Sequence, residues 1–280
     1  MSTTAQRTGA VIVHGIDIND YHAGAAISNS GLSDILQSPY HFWSRHLDPK
    51  RPERPPTQPQ EDGNVSHCAI LEPDEFTKRY VVGPDVSRAT KIWKEFCQIH
   101  DDKTVIKPDQ YTRAMRQRDA AWRIPDIAEA LSVGWAEVSA YWTDEETGVL
   151  CRCRPDFVHD CGHGSVVLID VKTYTDARPR EFAKQCARMN YHRQDAFYSD
   201  GYKVAANVDV KGFIFLSVEM PWPHAAAAAI LDDDSRKTGR SQYSYALSRY
   251  AKSLKEDNWP GYPEIIETMR LPEWAIEKPL

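Results

Sequence analysis

No apolar run in the 280-residue chain approaches the ~18 residues that a membrane-spanning helix requires. The opening residues, MSTTAQRTGA, have neither a basic start nor an apolar stretch, so they do not read as a secretory signal. A cytoplasmic protein without membrane association is expected. Cysteine is scarce, with six residues at Cys68, Cys97, Cys151, Cys153, Cys161 and Cys186. Without an export signal they read as reduced thiols rather than a disulfide framework. Cys151 and Cys153 form a lone C-x-C with no second pair at zinc-finger spacing, and packing is the reading of that pair. An excess of positive charge is also missing: 34 Lys and Arg stand against 40 Asp and Glu, a net −6. That argues against a protein coating DNA over its whole surface, but leaves room for a basic groove around an acidic centre.

What is present suits a globular protein: 41% hydrophobic and 26% charged residues. A core of this size needs no staples. The pattern predicts a single domain over 1–280. Residues 1–16 are frayed or weakly extended. Residues 27–46 form a helix or two short ones, broken at Pro39. A Pro-rich segment, 48–62, reads as a mobile loop. The catalytic core runs over 63–220, and a helix from about Asp233 with a tail fills 231–280. Short helices are predicted near 64–71 and 74–80, and mostly helical pattern over 91–131. The period then changes to strands at 137–142, 149–158 and 165–172, the first two as a hairpin. Helices at 179–189 and 191–204 and a strand at 212–219 follow. Ala225–Ala229 fits either a strand or a helix. The fold class is mixed α/β, a small sheet flanked by helices.

One constellation carries chemistry. Arg154-Pro155-Asp156 ends one predicted strand and Ile169-Asp170-Val171-Lys172 ends the next. Residues two apart on a strand share a face, so Asp170 and Lys172 point the same way. If the strands are neighbours, Asp156 joins them. Two carboxylates beside an ammonium suit Mg²⁺, a hard cation bound by few protein carboxylates. Phosphodiester hydrolysis needs an activated water, charge relief at phosphorus and a stabilised leaving oxygen, which two ions supply most completely. A D-x-K alone also fits a surface ion pair. Further elements stand in order around it. Upstream, Gly63 to His67 places a histidine on a helix. Downstream, Gln194 and Tyr198 lie at i and i+4 on one helix face.

The segments GNVSH, CRCRPD, LIDVKT and HRQDAFYSDGY, with ISNSGLSDILQSPYHFW and HCAILEPDEFTKRYVV nearer the start, resemble the RecE (exonuclease VIII) nuclease-domain family. That family lies in the RecB-like branch of the PD-(D/E)XK nucleases, and the likeness covers roughly 16–274. It implies a PD-(D/E)XK, restriction-endonuclease-like core. It implies His67, Asp156, Asp170 and the Val171 carbonyl as metal ligands, Lys172 as catalytic lysine, and Gln194 and Tyr198 as the Q-x-x-x-Y element. It further implies Mg²⁺, with Mn²⁺ as substitute, and 5′-to-3′ digestion of linear duplex DNA ends. The 3′ single-stranded tails would pass to a RecT-like single-strand annealing protein, and the enzyme would form a homo-oligomeric ring, a tetramer, in a phage-type recombination system. The N-terminal extension of some members has no counterpart, so the likeness is to the nuclease domain alone.

Two alternatives stand beside this. One is a RecB-like nuclease of other polarity, an endonuclease or an iron–sulfur enzyme, although a cluster needs four convergent cysteines. The other is an assembly or DNA-binding module that has lost catalysis. Several further residues have two readings each. Glu137 is a metal neighbour or an exposed strand residue. Arg152 and Arg154 contact phosphate or partner buried acids. Ser28, Ser30 and Tyr40 line an end-binding pocket, or the serines simply cap a helix. His159, Cys161 and His163 look metal-like but fall in a predicted turn.

Overall fold

A computed structural model of the chain describes residues 9–52, 55, 57–273 and 276. In chain order its elements are β1 (Val11–Val13), α1 (Ile18–Ala23), α2 (Asn29–Gln37), α3 (Pro39–Phe42), a single π turn (Trp43–Leu47), α4 (Gln58–Leu71), α5 (Pro73–Arg79) and β2 (Tyr80–Val82). Then come α6 (Lys91–Ile99), β3 (Thr104–Ile106), α7 (Pro108–Trp122), α8 (Pro125–Ser132), β4 (Gly134–Ala136), β5 (Ser139–Thr143), β6 (Leu150–Cys153) and β7 (Phe157–Gly162). The chain closes with β8 (Ser165–Tyr174), α9 (Pro179–Met189), α10 (Tyr191–Ala206), β9 (Asp209–Glu219), β10 (Ala226–Ala229) and α11 (Asp233–Glu256).

The central sheet has the order β10-β9-β8-β7-β4. β8 and β9 are parallel, joined by α9 and α10 as a crossover, and the other neighbours are antiparallel. A second sheet, β1-β5-β6, stands beside it. Alternation along β8 divides the core. Val166 and Leu168 face Phe182, Phe197, Phe213 and Phe215 under α9 and α10, whereas Ile169 and Val171 pack on Ile70, Leu71, Ala121 and Ile127 from α4, α7 and α8. With both faces covered, β8 and the inner half of β9 read as nearly continuous apolar runs. Two glycines permit the closest helix approaches. A Cβ on Gly201 would meet the Trp142 ring at 2.2 Å, and one on Gly239 would meet the His192 carbonyl oxygen at 2.0 Å, so α10 lies tightly on β5 and α11 on α10.

Several expectations need correction. The predicted loop 48–62 is helical from Gln58. Thr57 donates its N–H and hydroxyl to the Gln60 side chain (2.8 and 3.0 Å), which fixes the first turn of α4 with Pro59 inside it. Within the frayed segment 1–16, Val11–Val13 pairs with β5 as β1, and residues 1–8 lie outside the described residues. The helical stretch 91–131 contains a short strand, β3, parallel to β2. The strand predicted at 137–142 begins only at Ser139, after a corner that separates β4 from β5 in the other sheet, and the one predicted at 149–158 is split between the two sheets. The first corner is at Glu137, whose φ is +54°, and the second at Arg154-Pro155-Asp156. The alanine run, open to either reading in sequence, forms an edge strand, β10.

Candidate active site

The two sheet-changing corners lie against each other. The Glu137 N–H donates to the Asp156 carbonyl (3.0 Å), and Arg154 Nε donates to the Glu137 carbonyl (3.0 Å). Arg154 also donates to the Ile16 carbonyl (2.6 Å). These bonds hold Asp156 at the entrance to β7. Phe157, the first residue of β7, pairs with Ile169, so Asp156 just before it lies at the strand end beside Asp170, near enough for the two charges to act on each other. The Asp156 carboxylate then accepts the Val171 N–H at 2.7 Å. The corner is therefore pinned to the strand that carries the D-x-K.

Asp170 is 2% exposed and Lys172 follows it on the same face, Nζ to Oδ2 2.5 Å. From α10, Gln194 Nε2 donates to the other Asp170 oxygen at 2.5 Å. α10 reaches this point because Asn190 adopts a left-handed conformation (φ +56°), which ends α9 and lets Tyr191 begin the next helix at once. The Tyr191 ring lies 4.6 Å from Lys172 Nζ, a cation–π contact. His67, near the end of α4, brings Nδ1 to 3.5 Å from Asp156 Oδ2. His67, Glu137 and Asp156 can each direct one ligand atom to a common point, these atoms lying within 4.8 Å of one another. Beside them opens a cleft of about 620 Å³, lined by Asn64, His67, Glu72, Arg79, Glu137 and Arg154 and walled by Gly15 to Ile18.

The electrostatics are those of an acid cluster partly withdrawn from water, with Asp170 buried and Glu137 at the edge of the cleft. Burial, and next the Asp156 charge, push the Glu137 carboxyl up to about 8, against the pull of Arg154. Burial also raises Asp170 to about 6; Lys172 opposes the rise and Asp156 adds to it. Burial disfavours the Lys172 ammonium, but Asp170 and Asp156 outweigh it and hold its pKa above the ordinary lysine value. Tyr198 is raised well above the phenol range by burial first.

The residues fit a divalent cation. One imidazole and three carboxylates are the donors that Mg²⁺ and Mn²⁺ favour. Asp170 Oδ2 is buried without a well-aligned hydrogen-bond donor, although Lys172 Nζ sits beside it. Such an orphan is costly unless a further positive partner completes it. The six cysteines are free thiols, and Cys151 and Cys153 lie in the main core.

Asp156, Asp170, Lys172, Gln194 and His67 thus come together as the sequence suggested. Val171 enters through its N–H, and Tyr198 lies close enough to feel both aspartates, on the same helix face as Gln194. Glu137 was only one of two open readings. Its signal was a carboxylate just upstream of the R-P-D corner, indistinguishable in sequence from an exposed strand residue. Tyr191 was missed altogether. The arginines take neither expected role cleanly. Arg152 clamps the Tyr21, His22 and Gly24 carbonyls behind α1, and Arg154 bonds backbone carbonyls while pairing with Glu137 (3.3 Å). Ser28 caps α2 and bonds Ser30. His159 and Cys161 belong to β7, at its far end from Asp156, and only His163 falls in the turn.

A solved structure of a protein from Eubacterium rectale, provisionally described as an exonuclease, superposes with a TM-score of 0.61 at 11% identity, covering 91% of this chain and 92% of that one. At that identity the likeness speaks for the fold. A second structure, of a protein designated SSO0001, covers 86% of this chain and 87% of that one at 11% identity, but its TM-score of 0.29 carries no argument. No curated protein matches the sequence. The family model described as a PDDEXK-like domain of unknown function (DUF3799) matches residues 28–272. The fold is accordingly the mixed α/β PD-(D/E)XK core, and the chain belongs to this PDDEXK-like family.

Proposed function

We propose that the chain is a Mg²⁺-dependent exodeoxyribonuclease that degrades linear double-stranded DNA from its ends. The observation that carries this reading is the meeting of Asp156, Asp170 and Lys172 at adjacent strand ends, with His67 and Glu137 completing an acid–imidazole cluster beside an open cleft. His67, Glu137, Asp156 and Asp170 would hold the divalent ions, two of them, with the Val171 carbonyl as a further oxygen donor. A Mg²⁺ or Mn²⁺ ion bound there would supply water activation, charge relief at phosphorus and stabilisation of the leaving oxygen. Lys172, held by Asp170 and the Tyr191 ring, orients the attacking water and offsets the negative charge that builds on the phosphate. Gln194 fixes the rotation of Asp170, and Tyr198 supports the same helix face.

By the likeness to RecE nuclease domains, digestion runs 5′ to 3′ and leaves 3′ tails for a RecT-like annealing partner. The working form is then a ring-shaped oligomer in the cytoplasm. No helix of the described residues is long and apolar enough to cross a membrane.

The test is incubation with linear duplex labelled at the 5′ or the 3′ end, with and without Mg²⁺. Release of the 5′ label as mononucleotides, only with metal, is expected. Nicking of closed circles would replace the exonuclease with an endonuclease, and no cleavage of any DNA would defeat the reading.

A further inference from the structure

Trp222 stands on the turn between β9 and β10 with 69% of its surface exposed. The guanidinium of Arg116, from α7, lies over one face of the indole, 4.5 Å from the centroid. The His224 ring meets it edge-on at 6.0 Å. With Arg113, Thr112 and Asp109 they line a shallow, open recess of about 500 Å³. A tryptophan needed only for folding would be largely covered. This one has a cation behind it and leaves most of its surface to solvent.

The recess is connected to the site described above through β9 and α7. Ser217 pairs in register with Lys172 and Glu219 with Tyr174, and the Met220 N–H donates to the Tyr174 carbonyl (2.8 Å). Trp222 follows Ser217 by five residues, at most about 18 Å of extended chain. From the other side, Gln117, next to Arg116, donates to the Glu219 carbonyl (2.8 Å) and accepts from the Ser66 hydroxyl (2.6 Å). Ser66 precedes His67. Thus α7, which lines the recess, is bonded through Gln117 both to the end of β9 and to the residue of α4 that precedes His67.

We propose that Trp222 and Arg116 form a stacking platform for an unpaired nucleobase of the DNA strand engaged at the active site, an inference that rests on the nuclease reading. Every base offers a π face, but in duplex DNA those faces are already stacked, so only a frayed or single-stranded base is free to bind. Arg116 backs the indole and supplies positive charge toward the strand. Arg113 is tied to Asp62 (2.9 Å). Asp109 on the rim disfavours a phosphate in the recess and leaves a base as the group that fits.

The experiment measures binding of the full chain, in EDTA, to fluorescein-labelled oligothymidylate by anisotropy. Trp222→Ala should raise Kd roughly 5- to 150-fold, and Trp222→Phe should retain most of the affinity. Arg116→Gln should weaken binding less and lower the salt slope by at most about 0.7, the value for one single-strand phosphate contact. An oligonucleotide carrying 5-iodouracil should photocross-link to Trp222 in the unmutated protein, mapped by mass spectrometry, which frees the test from any folding defect. Trp222→Ala binding within twofold of the unmutated chain, or cross-links only at other residues, overturns the platform while leaving a DNA-degrading enzyme intact. If the unmutated chain neither binds nor degrades DNA with Mg²⁺ or Mn²⁺, the nuclease reading fails and the platform fails with it.

Discussion

Gln194 offers the sharpest test of how the site is held. Its amide donates to Asp170 at 2.5 Å with the two residues 7% and 2% exposed, so no water replaces it readily. Gln194→Leu keeps the volume and removes the donor. A hydrogen bond to a charged group contributes about 1.5–3 kcal/mol, and the abandoned carboxylate oxygen stays buried. Asp170 would then be free to turn toward Lys172, which already lies 2.5 Å from its other oxygen. Such a turn takes a ligand oxygen away from the His67–Glu137–Asp156 side. If about 1.5–3 kcal/mol of this orientation is lost from the transition state, the rate falls roughly 10- to 150-fold. The assay is initial rate on labelled linear duplex across a Mg²⁺ and Mn²⁺ titration, with melting temperature as the check on folding. Because Gln194 acts through Asp170, high Mn²⁺ should restore part of the rate in Gln194→Leu and none in Asp170→Ala. A Gln194→Leu protein within twofold of normal at every metal concentration would refute the positioning role.

Four further outcomes are expected. Lys172→Met should lower DNA hydrolysis by at least about 10²-fold while leaving metal-dependent DNA binding, and full activity in a folded Lys172→Met would remove it from catalysis. EDTA should stop the reaction, Mg²⁺ or Mn²⁺ restore it, and Ca²⁺ support binding without turnover; cleavage in EDTA would contradict a metal mechanism. Glu137→Gln and His67→Ala should each raise the Mg²⁺ concentration giving half-maximal rate, and an unchanged metal titration in either would exclude that side chain. Asp195, 1% exposed and raised by burial to about 6, binds its proton more tightly folded than unfolded. It therefore costs stability above that pH, and the cost shrinks as pH falls toward 4. Asp195→Asn should stabilise by about 1–2 kcal/mol at pH 7.5, after discounting its 3.4 Å pairing with Arg236, and by no more than about 0.5 kcal/mol at pH 4. A pH-independent difference in unfolding free energy would defeat this.

Much of the site was legible because its geometry is local to two strands. Period-2 alternation alone puts Asp170 beside Lys172, and helical spacing alone puts Gln194 with Tyr198. What period cannot show is where a chain leaves one sheet for another. Glu137 reads as the first residue of a strand and Arg154-Pro155-Asp156 sits inside one, yet both are corners. An Arg154–carbonyl bond and a positive φ make the corners, and neither has a sequence pattern of its own. The Pro-rich stretch before α4 misled for the complementary reason. Proline excludes the helix interior but suits its first turn, and the Thr57–Gln60 cap was sufficient to start α4 at Gln58.

These corners also explain why the acid cluster exists at all. A sheet that continued straight through Asp156 would give it a ladder partner and an ordinary surface or core position. By stopping β6 at Cys153 and restarting at Phe157, the chain leaves Asp156 free to accept the Val171 N–H while its backbone carbonyl takes the Glu137 N–H. Glu137 is fixed by the mirror-image break between β4 and β5. Two carboxylates are thus held beside a third, Asp170, by backbone bonds that their own repulsion cannot break, and that repulsion is what a divalent cation would relieve. The Arg154 side chain ties the Glu137 corner to the Ile16 carbonyl, so Arg154→Ala should disturb metal use more than melting temperature. A loss of folding with unchanged metal affinity in the folded fraction would reverse that order.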